Sequence, residues 1–430
     1  MCCSSMEFPP FRYQALLVFL SPILAVRVLW QAWKVRSARF LQQRLGFGYS
    51  KQTAQTLWIH CASVGEVTAA IPLIKRLGVE LPHQPLIVST TTPTGAETVV
   101  RQNWPNVQHQ YLPVDFKTSI RKVVAALRPD ILILMETEIW PNLINEVSRQ
   151  QIPVVIVNGR LSNRTLQVPS WIKPVYRQAL SNIKMVLAKS EADASGFKQL
   201  GAVSARVTVV GNIKFAATAT GAGKTRCDIV RPFWLAASTH EDEEEQICRT
   251  MIDASADSKA ASSSIANTLL VVAPRHPNRS AKIQQMLNSL NIHYAVRSLG
   301  QPVQDNTQVY LADQLGEMKI WFDHAQAVFM GGSLVPVGGH NILEPARAGV
   351  PIICGPHMNN VREETDLLLN AGAMLQVENA QELAKQVDSL LGQVDKRQSM
   401  GAAGRQIMLQ HSDVLEQYIN YLLPVITVEQ

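Results

Sequence analysis

From residue 56 onward the chain repeats one pattern: a short continuous apolar run, a polar loop, then a segment long enough for a helix. Leu57 to His60, Leu86 to Thr90, Ile131 to Met135, Val154 to Val157 and Val207 to Val210 carry it first. Runs apolar at successive positions, rather than at every second one, belong to strands covered on both faces, which is the condition of a parallel sheet between helical layers. Residues 216–228 (AATATGAGKTRCD) break the pattern with Ala, Thr and Gly, as a linker does. It restarts with Trp234 to Ala237, Leu269 to Val272, Ala327 to Met330 and Pro351 to Cys354. The expectation is α/β: two doubly wound parallel-sheet domains facing each other across a cleft. At 430 residues the chain is also longer than one core usually supports.

Open sheets of this kind bind ligands at the carboxyl ends of their strands, so the loops there are the candidates. In the first half they are Ser63-Val-Gly-Glu66, Thr90 to Gly95, Glu136-Thr-Glu138, Asn158-Gly-Arg160 and Gly211-Asn-Ile-Lys214. In the second half they are Ser238-Thr-His240, Pro274-Arg-His-Pro277, Gly331-Gly-Ser333 and Gly338 to Glu344. Carboxylates and a lysine mark the first set; arginine, histidines and glycines mark the second. Gly338-Gly339 before a helix starting near Ile342 offers backbone N–H groups to an anion. Glu344 has the position for a ribose diol, and Arg275 the planar fork for a phosphate.

Other features read as structural. Ser63 and Glu66 have capping-box spacing. His60 lies among apolar neighbours and reads as a core histidine. The carboxylates at 241–245 open a helix, where the dipole favours them. The segment GAGKT at 221–225 resembles the end of a P-loop, but the required first glycine falls at Thr218. Residues 254–267 (ASADSKAASSSIAN) read as a surface loop or a loosely ordered helix extension.

The net charge is +6, from 40 Lys and Arg against 34 Asp and Glu, which favours an anionic partner. Six cysteines without metal-ligand or CxxC spacing point to a reducing, cytoplasmic setting. Near the N-terminus, the largely apolar run Ala15 to Val26 is followed by Trp30, Trp33, Lys34, Arg36, Arg39 and Arg44. A span needs about 20 apolar residues. This run is shorter, and its basic flank and tryptophans suit the cytoplasmic face of a membrane, so residues 1–35 are expected to be an uncleaved anchor or an in-plane segment.

In order along the chain, HCASVGE, TTTPTGAE, METEIWPN, NGRLS, GNIKF, ASTHE, APRHP, GGSLVPVGGHNILEPA and GPH resemble the 3-deoxy-D-manno-octulosonic acid (Kdo) transferases of lipopolysaccharide synthesis. The resemblance implies a two-domain GT-B glycosyltransferase moving Kdo from CMP-Kdo to a lipid A precursor (lipid IVA) on the cytoplasmic face of the inner membrane. It implies an acceptor-binding domain over 36–215, a linker over 216–230 and a donor-binding domain over 231–430. Glu66 is the implied proton acceptor, with Glu136 and Lys214 stabilising the transition state. CMP would be held by Pro274 and Arg275, by Gly316, Glu317 and Met318, and by Asn341, Ile342, Leu343 and Glu344. No metal, other cofactor or nucleic acid is implied. The chain departs from the family pattern at Asp313-Gln-Leu-Gly-Glu317 and at Ala216, where an acidic residue is usual. Two rival readings share the fold: a GT-B transferase or epimerase for nucleoside-diphosphate sugars, and a membrane-surface binding module. The joint presence of Glu66, Glu136, Lys214 and Arg275 speaks against the second rival.

Overall fold

The computed structural model describes residues 11–218, 225–256, 264–265 and 267–427. They form two compact units, one of residues up to 217 together with 411–430, the other of 218–410.

In the first unit seven strands are built from β1 (Thr56–His60), β2 (Leu86–Thr90), β3 (Val107–Tyr111), β4 (Pro129–Met135), β5 (Val154–Gly159), β6 (Met185–Ala188) and β7 (Val207–Val209). All pair in parallel, in the order β3-β2-β1-β4-β5-β6-β7. Strand alternation divides the core. Leu57 and Ile59 join one apolar layer with Val67, Leu73 and Leu77 of the helix Val64–Glu80, while Trp58 and Ile87 join the other with Leu143 and Val147. Each such side chain, fully buried, contributes roughly 1.5–3 kcal/mol.

The second unit repeats the plan with β8 (Phe233–Thr239), β9 (Leu269–Pro274), β10 (Tyr294–Val296), β11 (Val309–Leu311), β12 (Val328–Met330), β13 (Ile352–Cys354) and β14 (Met374–Gln376). Their order is β10-β11-β9-β8-β12-β13-β14, again all parallel. Strand order reverses beside β1 in one unit and beside β8 in the other, which places each switch point between β1 and β4 and between β8 and β12.

The expected donor domain, 231–430, differs at its end. The last helix, Val414–Thr427, packs on the first unit, where Val414, Tyr418, Ile419, Leu422 and Ile426 share the apolar layer of Leu57 and Ile59. Tyr418 also donates its hydroxyl to the Gly211 carbonyl at 2.8 Å. Five strands escape the apolar-run pattern. β3 reads VQHQY and lies at a sheet edge, and β6, β10, β11 and β14 are only three or four residues long.

A 25-residue helix, Phe11–Val35, precedes the first sheet and is long and apolar enough to cross a membrane. Both of its ends touch the first unit. Near its start Tyr13 donates to Asp115 (2.7 Å) and Gln14 to Asn142 (2.6 Å); toward its end Leu24, Val28 and Ala32 pack on Phe40, Ala96, Tyr111 and Val114. Phe11, Val18, Phe19, Ile23, Val26, Trp30 and Trp33 face outward, with Phe19 and Trp33 nearly four-fifths exposed.

The P-loop-like residues 221–224, most of the 254–267 segment, and Cys2 and Cys3 lie outside the described residues. Thr225 of GAGKT gives both its backbone N–H and its hydroxyl to Asp323, each at 2.9 Å. Cys61, Cys227, Cys248 and Cys354 are free thiols.

Candidate functional site

At the first unit's switch point β1 ends at His60 and the helix Val64–Glu80 begins four residues later. Ser63 caps it. Its hydroxyl accepts from the Glu66 N–H (3.4 Å) and donates to Glu66 Oε1 (3.0 Å), while the Ala62 N–H donates to Glu66 Oε2 (2.7 Å). Ser63 and Glu66 thus form a variant of the capping box in which the Glu66 carboxylate reaches the N–H one residue before the cap. Yet the box does not leave an ordinary carboxylate. Glu66 is 9% exposed. Burial pushes it up to about 8, with the charge of Glu138 as the next cause and that of Glu136 adding to it, against the hydrogen bonds from Ala62 and Ser63. A carboxyl shifted in this way is matched to proton transfer near neutral pH.

Glu136 and Glu138 follow β4, the strand beside β1. Glu136 stays registered on β5 through its N–H to the Val157 carbonyl (2.9 Å), and its Oε2 lies 3.6 Å from Arg160 Nε. Its φ is +55°, as Asn158 has +54° near the end of β5 and Ser238 +55° in β8. Non-glycine residues in the left-handed region are uncommon and carry strain, which gathers at functional sites. Lys214 sits in the turn Ile213–Thr218 after β7, on the same edge of the sheet. That turn is tied down by Asn158, whose Oδ1 accepts from the Ile213 N–H at 3.1 Å, and by Asn212, whose Oδ1 accepts from the Lys214 N–H at 3.1 Å. Phe215 stacks on His411 with centroids 4.3 Å apart.

In the second unit the implied nucleotide residues gather at the carboxyl edge of the sheet. Pro274 ends β9, and Arg275 is exposed with its N–H on the Thr239 carbonyl (3.0 Å). Gly316, Glu317 and Met318 follow β11; Gly316 takes φ +87°, and Glu317 is gripped by Arg297 through Nε (3.2 Å) and Nη2 (3.0 Å). Asn341 and Glu344 are exposed and linked, Nδ2 to Oε1 at 2.9 Å, whereas Ile342 and Leu343 are buried and offer a ligand only their backbone. The helix expected near Ile342 runs Leu343–Ala348.

Sequence reasoning missed the residue that shapes this edge. Glu243, fully buried, accepts backbone N–H bonds from His240 (3.0 Å), Gly332 (2.7 Å), Ser333 (3.0 Å) and Leu334 (2.9 Å). Its neighbour Glu244 accepts from Arg279 through both oxygens (2.8 and 3.2 Å) and from Thr239 (2.9 Å). Two of the carboxylates read as favouring a helix dipole thus fix the loops after β8 and β12. The sequence showed only a carboxylate run placed immediately after one strand-end loop; its meeting with the glycine pair after β12 is made by the fold. Asp313 does the same beside β11, accepting from Ser298 N–H (2.9 Å), Ser298 Oγ (2.8 Å) and Ser280 Oγ (2.5 Å).

Residues 39–217 match the family described as 3-deoxy-D-manno-octulosonic-acid transferase (kdotransferase). A 3-deoxy-D-manno-octulosonic acid transferase of Haemophilus influenzae is 33% identical over 427 residues, covering 96% of this chain and 98% of that protein. Another, from Bordetella pertussis, is 31% identical and covers 86% of this chain and 87% of its own length. Among solved structures, a UDP-GlcNAc 2-epimerase of Neisseria meningitidis bound to UDP-GlcNAc aligns with a TM-score of 0.56 at 14% identity, over 86% of this chain and 100% of that one. At that identity the likeness is one of fold.

Proposed function

We propose that this chain, which belongs to the 3-deoxy-D-manno-octulosonic acid transferase family and is a glycosyltransferase, moves Kdo from CMP-Kdo to a lipid A precursor with inversion, Glu66 serving as general base. The observation that supports this most is the environment of Glu66: buried at a helix start, oriented by Ala62 N–H and the Ser63 hydroxyl, and held near 8 by burial and two neighbouring carboxylates. In the reaction the acceptor hydroxyl oxygen attacks the anomeric carbon, its proton passes to Glu66, and the bond to the phosphate oxygen breaks with its electron pair leaving on CMP. General-base help of this kind is worth roughly 10²–10⁴-fold.

The other roles follow the chemistry of the residues. Lys214 and Glu136 face charge that changes during transfer, the lysine complementing the departing phosphate. Arg275 holds the phosphate, Pro274 and the segments 316–318 and 341–344 frame the nucleotide, and Glu344 accepts from the ribose. A CMP leaving group carries a single phosphate, which cationic side chains can neutralise, so the reading takes the reaction as independent of metal.

The helix Phe11–Val35 supports membrane association of an in-plane kind. About 37 Å long at 1.5 Å per residue, it is held to one unit near both ends, while an apolar stripe of Phe, Val, Ile and Trp faces away. Between residues 11 and 44 there are six Lys and Arg and no Asp or Glu, complementary to an anionic inner-membrane surface.

The test is mass spectrometry of a tetra-acylated lipid A precursor incubated with CMP-Kdo and membranes carrying the wild type or Glu66→Gln. Added Kdo mass with the wild type alone supports both reaction and base. No added mass with the wild type overturns the reaction, and equal addition by both removes Glu66 from its role.

A further inference from the structure

A second carboxylate beside the base is held as firmly as the base itself. Glu138 Oε2 accepts from Trp140 Nε1 at 2.6 Å, a bond within its own loop. On the other side it lies 3.5 Å from Nε2 of His60, at the end of the neighbouring strand. His60 is fully buried, and this Nε2 makes no hydrogen bond among the described residues. The ring has little freedom to turn away. Its Nδ1 sits 2.9 Å from Ser89 Oγ and 3.1 Å from the Ser89 carbonyl, and Ser89 Oγ in turn accepts from Trp58 Nε1 at 2.7 Å. A chain Trp58–Ser89–His60 thus runs through buried side chains of β1 and β2 and ends facing Glu138. A histidine that served the core alone would have both ring nitrogens satisfied; this one directs its open nitrogen at a carboxylate.

We propose that Glu138 is a positioning residue for the base: a fixed carboxylate, clamped between His60 and Trp140, whose charge keeps Glu66 ready to take the acceptor's proton. The inference rests on Glu66 being that base. The groups facing Glu66 from the surrounding elements are Glu138 and Glu136 after β4, with Ala62 N–H and the Ser63 hydroxyl at its own helix start. Cys61 lies in the same field, its thiol pushed up by burial and by all three glutamates. Like charges in a shared site disfavour each other's ionisation. Of the two neighbours Glu138 acts on Glu66 more strongly, and Glu136 is drawn instead toward Arg160. The clamp matters because a mobile Glu138 would swing into solvent, where its influence on Glu66 would fade.

The experiment uses the full chain in two arms. The first is a ¹³C NMR titration of the Glu66 carboxyl, assigned by its loss in Glu66→Gln, in wild type, Glu138→Gln and Trp140→Phe. The second is the pH profile of kcat/KM for Kdo transfer by the same proteins. Glu138→Gln is expected to lower the Glu66 titration by about one pH unit, tenfold in proton affinity, and to move the acidic limb of the profile by the same amount. Trp140→Phe, which keeps the charge and loosens one side of the clamp, should shift both in the same direction by less, and it carries the test if Glu138→Gln does not fold. An unmoved Glu66 titration in folded variants, with activity merely lowered at every pH, would overturn the role of Glu138 alone. Full transfer by Glu66→Gln would overturn the base assignment, whatever the titration shows.

Discussion

The imidazoles of His240 and His340 lie stacked in the second unit, their planes 6° apart, their centroids separated by 5.0 Å and their Nε2 atoms by 2.8 Å. A hydrogen bond between the two Nε2 atoms is open only to a pair that is not doubly charged. His340 is accordingly held down at about 4, by burial first and then by His240, Arg275 and His276. His240 is lowered as well, chiefly by burial. Between about pH 6.5 and 4 the unfolded chain therefore binds more protons than the folded one, and the contribution of this pair, complete above pH 6.5, is lost as pH falls. His340→Gln should lose less melting temperature than the wild type between pH 7.5 and 4.5. Equal losses in thermal denaturation would dismiss the pair as an acid-sensitive element.

Glu66→Gln should lower kcat by roughly 10²–10⁴-fold while leaving the KM for the donor nearly unchanged, because a neutral amide preserves the size of the side chain and not its basicity. Initial rates against CMP-Kdo concentration separate the two constants. A raised KM at constant kcat would place Glu66 in substrate binding.

Removing the guanidinium in Arg275→Ala deletes a charged contact worth about 1.5–3 kcal/mol, so the donor KM should rise by roughly ten- to a hundredfold. CMP should inhibit the wild type and UDP should not. An unchanged KM in the variant, or inhibition by UDP alone, would return the second unit to the nucleoside-diphosphate reading.

Glu243→Ala leaves four backbone N–H groups without their shared acceptor and should destabilise the chain by at least ~3 kcal/mol. Glu243→Gln, which keeps one carbonyl oxygen, should fall between. Denaturant titration with a common slope tests the order of the three proteins.

Gly401 marks a close helix crossing. A Cβ there would meet the Gly349 carbonyl oxygen at 2.0 Å, and Gly349 itself has φ +71°, a conformation that resists adjustment by side-chain-bearing residues. Gly401→Ala should cost about 1–3 kcal/mol, visible as a drop in melting temperature. An unaltered melt would mean the helices Leu343–Ala348 and Val394–Gln410 can separate without penalty.

Much of this fold was legible because a parallel sheet covered on both faces writes itself as apolar runs. Leu57 to Ile59 and Leu269 to Val272 are buried at every position, and they stand out for that reason. β3, with Gln108, His109 and Gln110, lies at an edge and needs no such run. The partner of the helix Val414–Thr427 was not readable, since the apolar layer that it covers is assembled from strands roughly 230 to 360 residues earlier. The same limit applied at the site. Ser63 and Glu66 are close in sequence, and their spacing alone announced the cap. The link from His60 to Glu138 crosses 78 positions and two adjacent strands, so His60 read as a core residue, which it is, without showing what its outer nitrogen faces. Glu243 was hidden for the same reason, its partners at 332–334 being reached only through β12.

The return of residues 411–430 to the first unit also has a bearing on how the protein is made. A ribosome releases the sheet β1–β7 long before the helix that covers one of its faces. At roughly 5–20 residues per second, the intervening 218–410 take on the order of 10–40 s to synthesise. Throughout that interval the nascent first unit carries an unsealed apolar face, and only synthesis of the helix Val414–Thr427 supplies the piece that closes it. Vectorial synthesis thus makes the helix Val414–Thr427 a checkpoint on the first unit, and a chain broken off before it would hold residues 218–410 whole and leave the first unit open.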